Sequence, residues 1–200
     1  MPKQTFLELD NEKRERIIRT ALKEFAAYGY AGSSTNRIVK ESGISKGSLF
    51  KYFESKEDMY FYLIDTVALQ MANDMAKDLS RLPEDIRERI IAYSVAEISW
   101  YMSNPIKGHF MISAASEKEE ISKKIIEKYG EKGNEIYKDL LKGAVLRKKG
   151  KEEEMSDVLM WVLKGFNEKF LKENECTKIP LSKLKEEYTS QLSVYLDILL

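Results

Sequence analysis

The chain holds one cysteine and one histidine in 200 residues. Cys176 has no second thiol to pair with, so an intrachain disulfide and a thiolate metal site are both excluded. His109 lies far from Cys176 in the sequence, and the two offer no nucleophile–base motif. No His-rich or Cys-rich metal spacing occurs, and no glycine loop of the phosphate-binding kind. The acidic clusters Glu117, Glu119, Glu120 and Glu152 to Glu154 stand at helix starts, where the helix dipole favours carboxylates, so they read poorly as catalytic groups. The expectation is a protein that is not an enzyme and carries no metal or cofactor. Long apolar runs are missing too. The C-terminal VYLDILL is far too short to span a bilayer, and Glu8 and Asp10 interrupt the N-terminus where a signal peptide would need an apolar core. A cytoplasmic chain with no membrane partner is expected.

Net charge is also absent overall, at 33 basic against 33 acidic residues. It is not absent locally. Residues 1 to 56 hold 11 Lys and Arg against 7 Asp and Glu, and the remainder holds 22 against 26. A basic N-terminal piece on an acidic body is the pattern of a nucleic-acid surface at one end. With 43% apolar residues, the chain is long enough to bury a sizeable core.

What is present is helical periodicity throughout. Asp10 or Asn11 can cap a first helix to about Tyr28, with Ile17, Ile18, Ala21, Leu22 and Phe25 on one face. Residues 1 to 10 read as a loose arm before it. Lys56 to about Leu79 has neither Gly nor Pro and carries a wide apolar band. Pro83 suits the first turn of a helix over Glu84 to Ser103, and Asn104-Pro105 opens a shorter one. Glu117 to about Lys149 is expected to be helical, its later face including Ala144 and Val145, with a break at Gly130 and Gly133. Glu152 to about Asn174 is apolar around most of its circumference. From Pro180, leucines and tyrosines recur at intervals of three and four. Nine helices are predicted in an all-α chain, with no repeat and no low-complexity segment.

The densest signal lies between Ser34 and Lys56, STNRIVKESGISKGSLFKYFESK. Thr35 suits an N-cap, with Ile38 and Val39 as the apolar side of a two-turn helix. Gly43 follows Ser42 where a left-handed residue ends a helix. Ser45 caps a second helix, Lys46 to Tyr52, with Leu49 and Phe53 inward and Lys46, Ser48, Lys51 and Tyr52 outward. Ser55 caps a third. Two short helices about a Gly-containing turn make a helix-turn-helix. A small helical corner within a larger core would also explain Ile38, Ile44 and Leu49, but not the outward Lys and Ser run.

This stretch resembles the DNA-binding domain of the TetR family of transcriptional repressors. The resemblance rests on Thr35, Ile38, the Gly43-Ile44-Ser45 corner, Gly47, Leu49, the Tyr52-Phe53 pair and Ser55-Lys56-Glu57, and residues 11 to 64 fit the family's pattern. It implies a helix-turn-helix domain over 1–55 and a helical-bundle domain for ligand binding and dimerisation over 56–200. It also implies a palindromic double-stranded DNA operator, a small-molecule effector and a homodimer, with repression as the usual outcome. Lys46 and Ser48 are then the first base-reading candidates, and Gly47 lets the backbone approach. Asn36 suits adenine or phosphate. Ser34, Thr35, Lys51, Tyr52 and Lys56 fall among the DNA contacts. The family usually has Tyr where Phe50 stands, so Phe50 carries over only as a van der Waals contact.

For the body, the resemblance implies an effector pocket among the middle helices. Tyr62, Tyr93, Trp100, Met102, His109, Phe110, Met111, Trp161 and Phe166 are the candidates, each of which also suits ordinary core. Their mix points to an apolar or aromatic effector. Val158, Val162, Leu181, Leu184, Tyr188, Leu192, Tyr195 and Leu199 are the candidate dimer seam, which could equally fill the chain's own core. A TetR-like protein controlled by a protein partner instead of a small molecule is the alternative.

Overall fold

A computed structural model describes residues 1–142, 152–174 and 179–200. Cys176, Ala144, Val145 and the expected helical extension to Lys149 lie outside the described residues. Ten helices and no strand occur among the described residues. They are α1 (Gln4–Leu7), α2 (Asn11–Gly32), α3 (Thr35–Ser42), α4 (Lys46–Tyr52), α5 (Lys56–Leu79), α6 (Ile86–Ser103), α7 (Pro105–Ala115), α8 (Glu119–Leu140), α9 (Glu152–Asn174) and α10 (Leu181–Leu199).

The chain packs as two units. One holds Met1–Ala72 and Ile106–Ile125; the other holds Asn73–Pro105 and Ile126–Leu200. The first is built on α2. Its face of Ile17, Ile18, Ala21, Leu22 and Phe25 is buried, as the helical spacing predicts. Phe25, Tyr60 of α5 and Phe110 of α7 meet with ring centroids 4.9 to 6.3 Å apart, which fixes three helices on one aromatic cluster. Gly29 breaks α2 at φ +64°, a conformation open to glycine at little cost.

Four boundaries differ from the sequence reading. The expected loose arm contains α1, because Phe6 is fully buried against Tyr52, Phe53 and Tyr62. Ser34, not Thr35, caps α3, its hydroxyl accepting from the Arg37 amide at 3.4 Å. Asp85 caps α6 by accepting from the Glu88 amide at 2.9 Å, so Pro83 precedes the helix instead of opening it. Helix α8 runs unbroken through Gly130 and Gly133. Gly in a helix interior costs only about 1 kcal/mol, too little to end a long helix by itself.

The second unit packs α6, α9 and α10 together. Its centre is Phe166, Phe170 and Tyr188, with ring centroids 5.0 to 6.0 Å apart. Leu184, Tyr188 and Leu192 of α10 are wholly inside this core. They were expected in a dimer seam; they face inward because α6 and α9 already cover that side of α10. Leu181, Leu199, Val158 and Val162 are half-buried, and Tyr195 is exposed. The outward apolar residues are instead Trp161 (65% exposed), Val194 (58%) and Ile198 (62%). No described helix is long and apolar enough to cross a membrane.

Candidate nucleic-acid interface

Helices α3 and α4 are each held at both ends, α3 and the start of α4 by local caps. Gly43 ends α3 at φ +66°, and the Ile44 amide donates to the Val39 carbonyl at 3.2 Å, a left-handed helix stop. The Arg16 guanidinium of α2 donates to the Ser42 carbonyl at 3.0 Å. Ser45 caps α4 by accepting from the Ser48 amide at 3.0 Å, and the two hydroxyls lie 2.8 Å apart. At the start of α5, Ser55 accepts from the Asp58 amide at 3.0 Å, and Asp58 in turn accepts from the Glu54 amide at 3.2 Å.

The far end of α4 is held by the N-terminal arm. Lys3 Nζ donates to the Phe50 carbonyl at 3.3 Å, Thr5 Oγ1 to the Lys51 carbonyl at 2.8 Å, and the Lys3 amide to the Tyr52 carbonyl at 2.8 Å. A helix leaves its last carbonyls without intrahelical partners, and three of them here are satisfied by residues 3 and 5. Sequence reading missed this, since nothing local in residues 1–9 announces a distant cap.

An ion pair between a buried carboxylate and an exposed guanidinium joins α2 to α3. Glu24 is buried and accepts from the Arg37 guanidinium and from the Ser34 amide at 2.7 Å. Arg37 also donates to the Gly32 carbonyl at 2.9 Å and lies 4.4 Å over the Tyr28 ring. Neither Glu24 nor Arg37 stood out in the sequence. A Glu on the inner face of a helix, 13 residues before an Arg at the start of the next, is the signal that could have marked them.

The structure sorts the predicted contacts. Asn36, Lys46, Gly47, Phe50 and Lys51 are exposed. Ser34 and Thr35 are half-buried at the start of α3. Ser48 is half-buried with its hydroxyl turned toward Ser45. Tyr52, expected to point outward, is only 7% exposed because its ring packs on Phe6. Lys56 is turned inward as well. Its ammonium donates to the carbonyls of Tyr30 at 2.6 Å and Ser33 at 3.1 Å, and it stands 4.5 Å over the Tyr30 ring. Burial pulls its pKa down, opposed by Glu117 and Glu24. A phosphate at Lys56 would have to compete with these partners.

The expected ligand residues do not form one group. Phe110 belongs to the core of the first unit, and Tyr62 packs on Phe6 and Phe53. Trp100 is buried with its indole donating to Asp74 at 2.9 Å. Phe166 is core in the second unit, and Trp161 is exposed. Met102, His109 and Met111 are half-buried, as is Tyr93. Among the described residues no cluster of His, Cys, Asp and Glu could hold a metal ion.

Two capped helices about a left-handed glycine, with a basic, partly apolar outer face, define a helix-turn-helix architecture. Residues 17–63 match the family model described as bacterial regulatory proteins, tetR family. The HTH-type transcriptional regulator YerO of Bacillus subtilis is 49% identical over 47 residues, which are 24% of this chain and 16% of that protein. The fatty acid metabolism regulator protein of the same organism is 31% identical over 80 residues, 40% of this chain and 38% of that protein. The chain thus spans well under half the length of these curated relatives. The fold extends further. A TetR family transcriptional regulator from Chloroflexus aurantiacus has a TM-score of 0.71 at 23% identity, covering 99% of this chain and 96% of its own. The fatty acid degradation regulator FadR of Bacillus halodurans has a TM-score of 0.66 at 17% identity, covering 92% and 96%. Residues 17–63 thus carry the tetR-family domain, and the chain as a whole shares the fold of these TetR-like structures.

Proposed function

We propose that the protein is a sequence-specific DNA-binding transcriptional regulator that works as a homodimer on a palindromic operator and is released by a small apolar or aromatic effector. Residues 1–55 carry the DNA contacts, and 56–200 carry the effector site and the dimer interface. The observation that carries this reading is Gly47. It lies in the first turn of α4, exposed, between Lys46 and Ser48. A Cβ there would meet only Ser45 Oγ, at 3.9 Å. Nothing inside the chain therefore calls for a glycine. A surface that must come close to that backbone from outside does, and the floor of a major groove is such a surface.

Lys46, with Asn36 beside it in the motif, is the base-reading candidate, and Lys51 and the α3 N-terminus supply phosphate contacts that fix register. Two α4 helices must stand about 34–36 Å apart to enter successive major grooves, which requires a dimer. The outward Trp161, Val194 and Ile198 support α9 and α10 as the dimer surface, since a large exposed apolar face is the usual mark of a partner. In this mechanism the effector shifts the population toward a conformation with lower operator affinity.

Selection from random duplex DNA, followed by titration of the selected sequence at several salt concentrations, tests the reading. A palindrome bound far more tightly than random DNA is expected. Weak binding to every sequence, falling steeply with salt, would leave only phosphate attraction and overturn it.

A further inference from the structure

Helix α6 carries Tyr93, Glu97 and Tyr101 at intervals of four, so they form one stripe along its side. The adjoining stripe, Ile90, Ser94 and Ile98, is fully buried. The Tyr93 stripe differs. Each of its three side chains keeps part of its surface accessible.

That stripe has a fixed polarity. Asn167 of α9 donates from Nδ2 to Glu97 Oε2 at 2.8 Å. Tyr188 of α10 donates to Asn167 Oδ1. This second bond sets which end of the amide faces Glu97, so the relay delivers a donor to the carboxylate. Tyr188 is tied in turn to Ser94 of α6. Among the described residues, Tyr93 and Tyr101 on its own helix and the exposed Lys164 of α9 also face Glu97, and the lysine's charge draws its pKa down against the larger effect of burial. Burial pushes the Glu97 carboxyl up to about 7 and raises both tyrosines. Burial disfavours the charged form of this carboxylate, so a cation placed beside it is favoured.

We propose that Glu97, flanked by Tyr93 and Tyr101, anchors the protonated amine of an otherwise apolar ligand. This rests on the reading of residues 56–200 as an effector-binding body and gives that effector its chemical class. An ammonium head supplies the missing positive charge and donors for the carboxylate. Tyrosine faces attract a cation as well as an apolar body. An anionic head at the same place would bring two like charges together in a poorly solvated site, which raises both pKa values and weakens binding.

The test uses three probes with one tail: n-decylamine, n-decanol and n-decanoate, titrated by calorimetry into the full chain without DNA. The amine is expected to bind about tenfold or more tightly than either of the others at pH 8, the range for a hydrogen bond to a charged group. Its advantage should shrink about tenfold from pH 8 to pH 6, because Glu97 goes from mostly ionised to mostly protonated. Glu97→Gln should abolish the preference and leave decanol binding unchanged. Equal affinity for amine and alcohol, no binding of any probe, or a preference that survives in Glu97→Gln would overturn the proposal. Should Glu97→Gln fail to fold, the pH profile of the wild-type chain decides alone. Parallel titrations against the selected operator separate the two readings. Amine binding with the expected head-group preference but unchanged operator affinity would remove the effector role and leave the site. Release of operator by decanol with no preference for the amine would do the reverse.

Discussion

Gly47→Ala separates stability from DNA binding, because the two should move in opposite directions. The added Cβ lies 3.9 Å from Ser45 Oγ, an ordinary contact, and meets no other atom within 4 Å. Gly47 has no positive φ to strain. Replacing a helical glycine by alanine then stabilises by about 0.5–1 kcal/mol. For a chain of this size that raises the melting temperature by about 1–4 °C. Operator binding should fall by about 1–3 kcal/mol, the scale of one good base contact, because the methyl group holds α4 off the groove floor. No charge is lost, so the slope of affinity against salt should stay as in the wild type. Thermal melting by circular dichroism and fluorescence anisotropy of the labelled operator at several salt concentrations measure all three quantities. A lower melting temperature would mean an internal conflict that the geometry does not contain. Unchanged operator affinity would refute Gly47 as the point of closest approach.

Four further outcomes are expected. Phe6→Ala should destabilise by about 3–5 kcal/mol in urea unfolding, because a fully buried ring is lost, and it should speed amide exchange in α4 as the arm that caps Phe50, Lys51 and Tyr52 lets go; unchanged exchange in α4 would show that the arm does not hold the helix. Lys46→Ala should change the selected operator sequence at one position in each half-site, by about 1–3 kcal/mol if the contact is bidentate; an unchanged consensus would move Lys46 to a phosphate role. Val194→Glu with Ile198→Glu should convert a dimer to a monomer in analytical ultracentrifugation without lowering its helix content, and a dimer that persists would place the interface elsewhere. Glu97→Gln should stabilise the protein at pH 8 by up to about 3 kcal/mol and have little effect at pH 4. The sign follows from a folded-state pKa of about 7 against an ordinary 4.5: the unfolded chain releases its proton first, so wild-type stability falls as pH rises between those values. Equal stability of both proteins at pH 8 would sink it.

Residues close in sequence carried most of the fold. The Ser45 cap, the left-handed Gly43 and the helical spacing of Ile17 to Phe25 are local or periodic features, and each appears where the sequence placed it. The family resemblance was legible for the same reason, since its matching positions sit within one helix-turn-helix. The outward lysines Lys46 and Lys51 followed from the period of a single short helix.

What the sequence could not decide was which of two apolar or charged faces meets a neighbour. Tyr52 and Lys56 sit next to exposed contacts in the chain, yet Phe6 covers one and the carbonyls of Tyr30 and Ser33 hold the other. On α10, Leu192 and Val194 are both apolar and two residues apart; packing against α6 and α9 buries the first and leaves the second outside. The Glu24–Arg37 pair and the Tyr188–Asn167–Glu97 relay join positions separated by 13 to 70 residues. No local rule specifies such partners. They form because a carboxylate taken out of water must find a donor, and only the packed helices determine which donor is within reach.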